Sequence, residues 1–425
     1  MLINDSITNP NWGDRAAVIS LKALIRATGG EIAYSVPDDD LITSSFDHHF
    51  LYLEDTPKNT TRDVVKLLLP PLVLEARRRL VKKADLTAAN RVIPERWEDF
   101  EEAAKAVLRG PHPAWNDLLA GMESTDVAVI HGDGAMWGNG IIPRSDLFLT
   151  YLLKKHFGKP VIMVNHSVDL GHPALRAMAE NVYPLFDDVV YRDPLSAERY
   201  KTLCGGRFAA DTAFWFEPAP KADWLPVAGR PTYFDVWPDV ADFDPSAPYL
   251  CVGGSSLLCT DWRPLDIARD YLALLRHFRS IYSGQIILTC SGLEELEAFR
   301  PVATELGLPL LAPTMPVQQV VDILAHSDAY VGGRWHTAIF ALRGGAPVVA
   351  LSAKQSKMEA LMLSAHLPAT AFDAFHLAER KEAIGRALLD HLEQGDALRK
   401  RIRGWADEMA ANCWDNVTYL RLRSE

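Results

Sequence analysis

Apolar residues along this chain fall into two alternating patterns. Short β-branched runs read as buried strands: Glu31-Ile-Ala-Tyr-Ser-Val36, Asp126-Val-Ala-Val-Ile130, Pro160-Val-Ile-Met-Val-Asn165 and Asp188-Val-Val-Tyr191 in the first half. Tyr249-Leu-Cys-Val-Gly253, Gln285-Ile-Ile-Leu-Thr289, Ala329-Tyr-Val331 and Val348-Val-Ala-Leu351 repeat the style in the second. Between them lie stretches of helical period, among them residues 16–28, 147–157 and 173–183. Continuous apolar strands alternating with helices predict parallel sheets covered on both faces. Residues 216–248, rich in Pro, Asp and aromatics and without a clear period, read as a linker that packs against something through its tryptophans. The predicted division is therefore an N-terminal α/β domain over 1–215, the linker over 216–248, and a C-terminal α/β domain over 249–395. A helical tail over 396–425 is expected to cross back to the first domain, by analogy with other two-domain α/β proteins.

One stretch concentrates polar chemistry in an otherwise apolar setting. Residues 329–352 read as a strand, a Gly-Gly turn, a helix of about two turns, a glycine stop and a second strand. Arg334 and His336 fall where the first strand passes into the helix, beside Gly333. The carboxyl end of a parallel strand and the amino end of a helix are where α/β proteins bind anions. Three loops of the first half are candidates to complete a cleft. Asn11-Trp-Gly-Asp14 precedes a helix, and Asp14 is either its cap or a carboxylate in the site. His131-Gly-Asp-Gly134 follows the strand ending at Ile130, with His131 and Asp133 titratable and the glycines allowing close approach. Arg192 stands at the end of the strand 188–191, and Asp193 opens the next helix.

Composition narrows the function. A chain of 425 residues suggests two domains. A net charge of -11 argues against nucleic acid as a partner, which needs a basic face. The five cysteines are scattered and form no CxxC pair, so neither a zinc ribbon nor a disulfide framework is signalled. Cys251 and Cys290 read as small core residues. There is no Walker motif, no GxGxxG, no HExxH and no GxSxG elbow. His48-His49 lacks a partner at metal-ligand spacing, so no metal is expected. The run Arg77-Arg-Arg-Leu-Val-Lys-Lys83 reads as a solvated helix face, with peripheral contact to anionic lipid as the alternative. With no signal peptide and no run long enough to span a bilayer, a soluble cytoplasmic protein is expected.

Taken in order, Asn11-Trp-Gly-Asp14, Tyr191-Arg-Asp-Pro-Leu-Ser196, Asp211-Thr-Ala-Phe214 and Gly333-Arg-Trp-His336, the last running into Ile339-Phe-Ala-Leu342 and Pro347-Val-Val-Ala-Leu-Ser352, resemble the polysaccharide pyruvyl transferase family. Its members carry similar N-x-G-D, R-D-x-x-S, D-x-A-F and R-x-H patterns. The chain departs from the family at His131-Gly-Asp-Gly134, where a glycine-rich run is usual. It departs again at Ala353-Lys-Gln-Ser-Lys357, where Lys354 and Lys357 are the candidates to replace a family lysine. The resemblance implies a GT-B-like fold, two Rossmann-like parallel-sheet domains facing across a cleft, with the acceptor on the N-terminal side and the donor on the C-terminal side. It implies transfer of pyruvate from phosphoenolpyruvate to two hydroxyls of a sugar, giving a ketal in a polysaccharide or its precursor.

The residue types suit that chemistry. A donor with a phosphate and a carboxylate calls for two cationic sites, and Arg334 and Arg192 are the forked arginines available. His336 is the natural general acid and base, with Asp14 or Asp133 receiving the hydroxyl proton. Lys357, Lys354, His131, Asn11 and Gly333 complete the expected substrate-binding set. No step calls for a cofactor beyond phosphoenolpyruvate as donor substrate. The alternatives are a GT-B glycosyltransferase using a nucleotide-sugar, with Arg334 and Lys357 on the diphosphate, or a non-catalytic sugar-binding subunit.

Overall fold

The computed structural model describes residues 1–37, 93–109, 113–230, 233, 243–259 and 264–424. The His48-His49 pair, the basic run 77–83 and part of the linker lie outside the described residues. The first sheet runs β2-β1-β3-β4-β5-β6, formed by Leu2–Asp5 (β1), Ser35–Pro37 (β2), Ala128–Trp137 (β3), Val161–Asp169 (β4), Asp188–Tyr191 (β5) and Arg207–Phe208 (β6). The second runs β11-β10-β7-β8-β9, formed by Tyr249–Ser255 (β7), Gln285–Thr289 (β8), Leu310–Leu311 (β9), Ala329–Gly333 (β10) and Val348–Ala350 (β11). All four pairings of the second sheet are parallel.

Three expectations need correction. Leu2–Asp5 is a strand that the pattern did not announce, because only Leu2 and Ile3 mark it as apolar. The strand expected over 31–36 forms only at Ser35–Pro37. His131-Gly-Asp-Gly134 is not a loop after β3 but part of it, as the strand continues to Trp137 with its register against β4 shifting between Asp133 and Met136. A bulge of this kind adds backbone without ending the pairing, and a short polar stretch in a long strand reads as a turn in sequence.

Contacts divide the chain into two compact units. One comprises Met1–Thr8, Glu31–Val189 and Tyr200–Gly206, and the other Asn9–Gly30, Val190–Arg199 and Arg207–Glu425. The helix Trp12–Ala27 thus belongs to the second unit, where Trp12 is fully buried. Arg15 holds it there by donating from Nη2 to the carbonyls of Pro313 and Met315 at 2.9 and 2.8 Å.

The core of the second unit explains its sheet. Leu250 and Val252 of β7, Ile286 and Leu288 of β8 and Val331 of β10 share one cluster with Tyr271, Leu274, Leu275 and Phe278. The latter four lie on the helix Pro264–Ile281 at the three-to-four-residue spacing of a single buried face. The helix Leu293–Leu306 stops at Gly307, whose φ of 59° is the left-handed conformation glycine adopts without strain. In this sheet β7 and β10 are neighbours, yet β8 leads away on one side and β11 on the other. That is a topological switch point, where the crevice beyond the strand ends takes ligands. In the tail, the helix Gly395–Asn412 carries Trp405 against Phe214, with ring centroids 5.4 Å apart. Asn412 accepts from the Ala210 amide at 2.7 Å, and Asn416 donates to the Ala210 carbonyl at 2.9 Å. Among the described residues, no helix is long and apolar enough to cross a membrane.

Candidate active site

Three consecutive residues just beyond β10 form the centre of the second unit's polar cluster. Arg334 is the extended residue that opens the helix Trp335–Arg343. Its Nε donates to Oε1 of Glu295 at 2.8 Å. Trp335 donates from Nε1 to Oδ2 of Asp211 at 2.8 Å. His336 places Nδ1 3.4 Å from Oδ1 of Asp14, and Nε2 3.5 Å from Oδ2 of Asp211. Arg192 Nη1 also stands 3.4 Å from that Nε2.

Each partner is itself fixed. Asn11 caps the helix Trp12–Ala27 by accepting the Gly13 amide at 2.9 Å, and its Nδ2 donates to Oδ1 of Asp14 at 3.0 Å. Asp14 is thus aimed at His336 by the first turn of that helix. Gly13 allows the approach: a Cβ there would overlap the Cβ and Nδ1 of His336. Asp211 accepts the Ala213 amide on Oδ1 at 2.8 Å and Arg192 Nη1 on Oδ2 at 3.0 Å. Both side chains of that ion pair are almost fully buried. The Arg192 guanidinium also lies 5.1 Å from the centroid of the Trp335 ring, within cation–π range. Asp193 takes the Ser196 amide and hydroxyl, both at 2.7 Å, so the R-D-x-x-S pattern is an arginine followed by a helix cap.

The electrostatics follow from burial and charge. Burial alone would raise the Asp211 carboxyl, yet His336 and Arg192 beside it, with the Ala213 amide, hold it far below the ordinary carboxylate range. It is an anion at any working pH, and Arg192 is fixed against it.

The glycine pairs 253-254 and 332-333 are cut to fit internal side chains. A Cβ on Gly253 or Gly332 would strike the Tyr330 hydroxyl, one on Gly254 the Glu295 carboxylate, and one on Gly333 the Ser255 side chain and the Leu351 carbonyl. Lys354 donates its backbone N–H to Ser256 Oγ at 3.2 Å. Gln355 and Ser356 follow with φ of 64° and 50°, and Lys357 begins the helix Lys357–Ser364. Both lysines are half-buried. In the first unit, His131 is fully buried, with Nε2 3.0 Å from Asn165 Nδ2 and its carbonyl accepting Asn4 Nδ2 at 2.7 Å. Asp133 is half-buried at a φ of 43°.

Arg192, Asp211, His336 and Asp14 therefore meet within the second unit, although they come from four separate segments of the sequence. A model of the polysaccharide pyruvyl transferase family matches residues 11–355. The chain belongs to the polysaccharide pyruvyl transferase family. It is accordingly a transferase. Solved structures of similar fold include Arabidopsis thaliana UGT89C1 complexed with quercetin, at a TM-score of 0.53 and 11% identity over 100% of this chain and 98% of that one. The same plant protein complexed with UDP gives 0.52 and 13% over the same shares. Spinosyn rhamnosyltransferase SpnG complexed with spinosyn aglycone gives 0.51 and 14% over 99% of each chain. At such identities the likeness shows the fold alone, a GT-B-like two-domain α/β architecture. No curated protein matches the sequence closely enough to count as a relative.

Sequence reasoning picked out Arg334, His336, Arg192, Asp14 and Asn11, but gave no role to Asp211, Trp335 or Glu295. Asp211 stood in a quoted motif, and its alignment with the family pattern was the available signal. Glu295 had none, lying in the run Leu293-Glu-Glu-Leu-Glu297, where every acid reads as solvated helix surface.

Proposed function

We propose that the protein transfers the pyruvyl group of phosphoenolpyruvate to two hydroxyls of a saccharide, forming a ketal and releasing phosphate. The observation that carries this reading is the setting of His336, with Asp14 at Nδ1, Arg192 at Nε2 and Arg334 two residues before it. Asp14 at Nδ1, with Arg192 and Asp211 at Nε2, fixes the orientation of the ring that exchanges a proton with the donor. Arg334, the more exposed arginine at 15% against 1% for Arg192, takes one anionic group of the donor, and Arg192 supplies the second positive charge beside the imidazole. Lys354 and Lys357 are further cations for the donor phosphate.

In this reading imidazolium His336 gives its proton to C3 of the enol, making C2 electron-poor. An acceptor hydroxyl bonds to C2 and its proton passes to His336. The C2–O bond to phosphate then breaks, the leaving oxygen keeping the electron pair. The second hydroxyl bonds to C2 and loses its proton through Asp14 to the phosphate. Bound phosphate near the ring favours the acid form that begins this sequence.

The test is incubation with phosphoenolpyruvate and a panel of saccharide acceptors, followed by phosphate release and product mass. A gain in acceptor mass equal to pyruvate less one water supports the reading. If phosphoenolpyruvate neither stabilises the protein thermally nor reacts with any acceptor, while a nucleotide-sugar does stabilise it, the donor assignment fails.

A further inference from the structure

Glu295 has no place in the steps above, yet its carboxylate is closely accommodated beside Arg334. It comes from the helix Leu293–Leu306 and is completely buried. One oxygen, Oε1, accepts Arg334 Nε at 2.8 Å. The other, Oε2, accepts the backbone N–H of Ser291 at 2.8 Å. The carboxylate fills the space where a side chain on Gly254 would stand, at the carboxyl end of β7. A buried carboxylate is costly unless it is paired and hydrogen-bonded, and here both oxygens are used.

We infer that Glu295 is a positioning residue for donor binding: it fixes the guanidinium of Arg334 through Nε, so that the arginine meets the donor's anionic group at a set angle. This rests on the proposed donor role of Arg334. The chemistry favours Nε as the anchor point. A guanidinium rotates about a long flexible stem, and a carboxylate hydrogen-bonded to Nε restrains its last torsions. A lysine in place of Arg334 would have no second edge to offer, so the pair requires arginine.

Glu295→Gln keeps the shape but not the pairing. Its amide has one oxygen, so either Arg334 Nε or the Ser291 N–H meets an NH2 group instead of an acceptor. The experiment measures phosphoenolpyruvate affinity by calorimetry, and KM and kcat, for the wild type, Glu295→Gln, Arg334→Ala and the double variant. Glu295→Gln is expected to weaken donor affinity about tenfold or more, with kcat within about threefold, as for a lost charge-assisted hydrogen bond that orients a ligand group. In the Arg334→Ala background the same substitution should leave donor affinity unchanged, a coupling that a purely structural role would not produce. Equal affinity of wild type and Glu295→Gln overturns the inference, as does an undiminished effect without Arg334. A wild type that does not bind phosphoenolpyruvate sinks the donor reading instead, and so the two failures are distinct. If Glu295→Gln does not fold, Gly254→Ala displaces the same carboxylate without removing its charge and should weaken donor affinity in the same way. Loss of fold in both variants would show that Glu295 serves the fold rather than the donor arginine, and would overturn the inference.

Discussion

Asp211→Asn is the sharpest perturbation of the cluster, because it changes charge with almost no change in shape. The carboxylate serves three close donors: Trp335 Nε1 at 2.8 Å, Arg192 Nη1 at 3.0 Å and the Ala213 amide at 2.8 Å. An amide offers one oxygen. Whichever way it turns, its NH2 faces at least one of these donors in a site from which water is excluded. If hydrogen bonding alone were at stake, the loss would be about 1–3 kcal/mol. But Arg192 is left as a buried cation without its anion, and removing one partner of a buried pair typically costs about 3–5 kcal/mol. Against a total stability of about 5–15 kcal/mol, the larger figure is easily measured. Urea unfolding of both proteins at pH 7 gives the difference from the shift in midpoint. Acid dependence supplies a second check. The Asp211 pKa is lowered in the folded state, so its contribution is complete above the unfolded carboxyl pKa of about 4 and is lost as pH falls below it towards the folded value. The gap between wild type and Asp211→Asn should therefore hold from pH 7 to about 5 and narrow below about 4. A gap under about 1 kcal/mol at pH 7, or one that stays flat down to pH 3, would refute the view that a buried charge is what Asp211 supplies.

Other expectations follow from the same geometry. His336→Ala should lower turnover about 10²–10⁴-fold, the range for a lost general acid or base, with phosphoenolpyruvate binding kept in calorimetry; near-normal turnover removes His336 from the mechanism. Arg334→Ala should instead raise the phosphoenolpyruvate KM about tenfold or more, and an unchanged KM would assign the donor's charge elsewhere. Gly13→Ala pushes a methyl into His336. Overpacking of this kind typically costs about 1–3 kcal/mol, and with the ring driven from Asp14 the turnover should fall more than the melting point suggests. A variant with full activity would show that the helix and the histidine can part without consequence.

Much of the fold was legible because it rests on local pattern. Seven of the eight runs read as strands formed one over most of their length, the eighth, 31–36, only at its end, and the strand–helix order carried the two parallel sheets. What escaped were strands too short to have a pattern, such as Arg207–Phe208 and Leu310–Leu311, which exist because a neighbouring strand pairs with them. The bulged continuation of β3 escaped for a related reason, since a residue like Asp133 at positive φ within a strand is imposed by packing and not by propensity. At the site, cations at a strand end were conspicuous against an apolar background. Their carboxylate partners were not, because acids are common on helix surfaces and in caps. Only the fold separates Glu295, with no exposed surface, from the exposed Glu297 two residues later.

The partners reveal how the site is constructed. Arg334, Trp335 and His336 are adjacent in sequence, and each faces a carboxylate from a different segment: Glu295, Asp211 and Asp14. Three anions beside two arginines and a histidine cannot maximise attraction for an anionic donor, since each carboxylate cancels part of the positive field at short range. A site selected for raw affinity would leave these cations to solvent. Fixing them at known angles gives up some affinity and gains orientation, which lowers the barrier only where the same groups act on the transition state. The proposed chemistry needs that trade, because protonation at C3 and attack at C2 must occur on a donor held in one pose. The trade also explains why the carboxylates lie on the helices Trp12–Ala27 and Leu293–Leu306 and at the cap of the short helix Thr212–Trp215 rather than on long loops. A carboxylate can impose an angle on its cation only if its own backbone does not move.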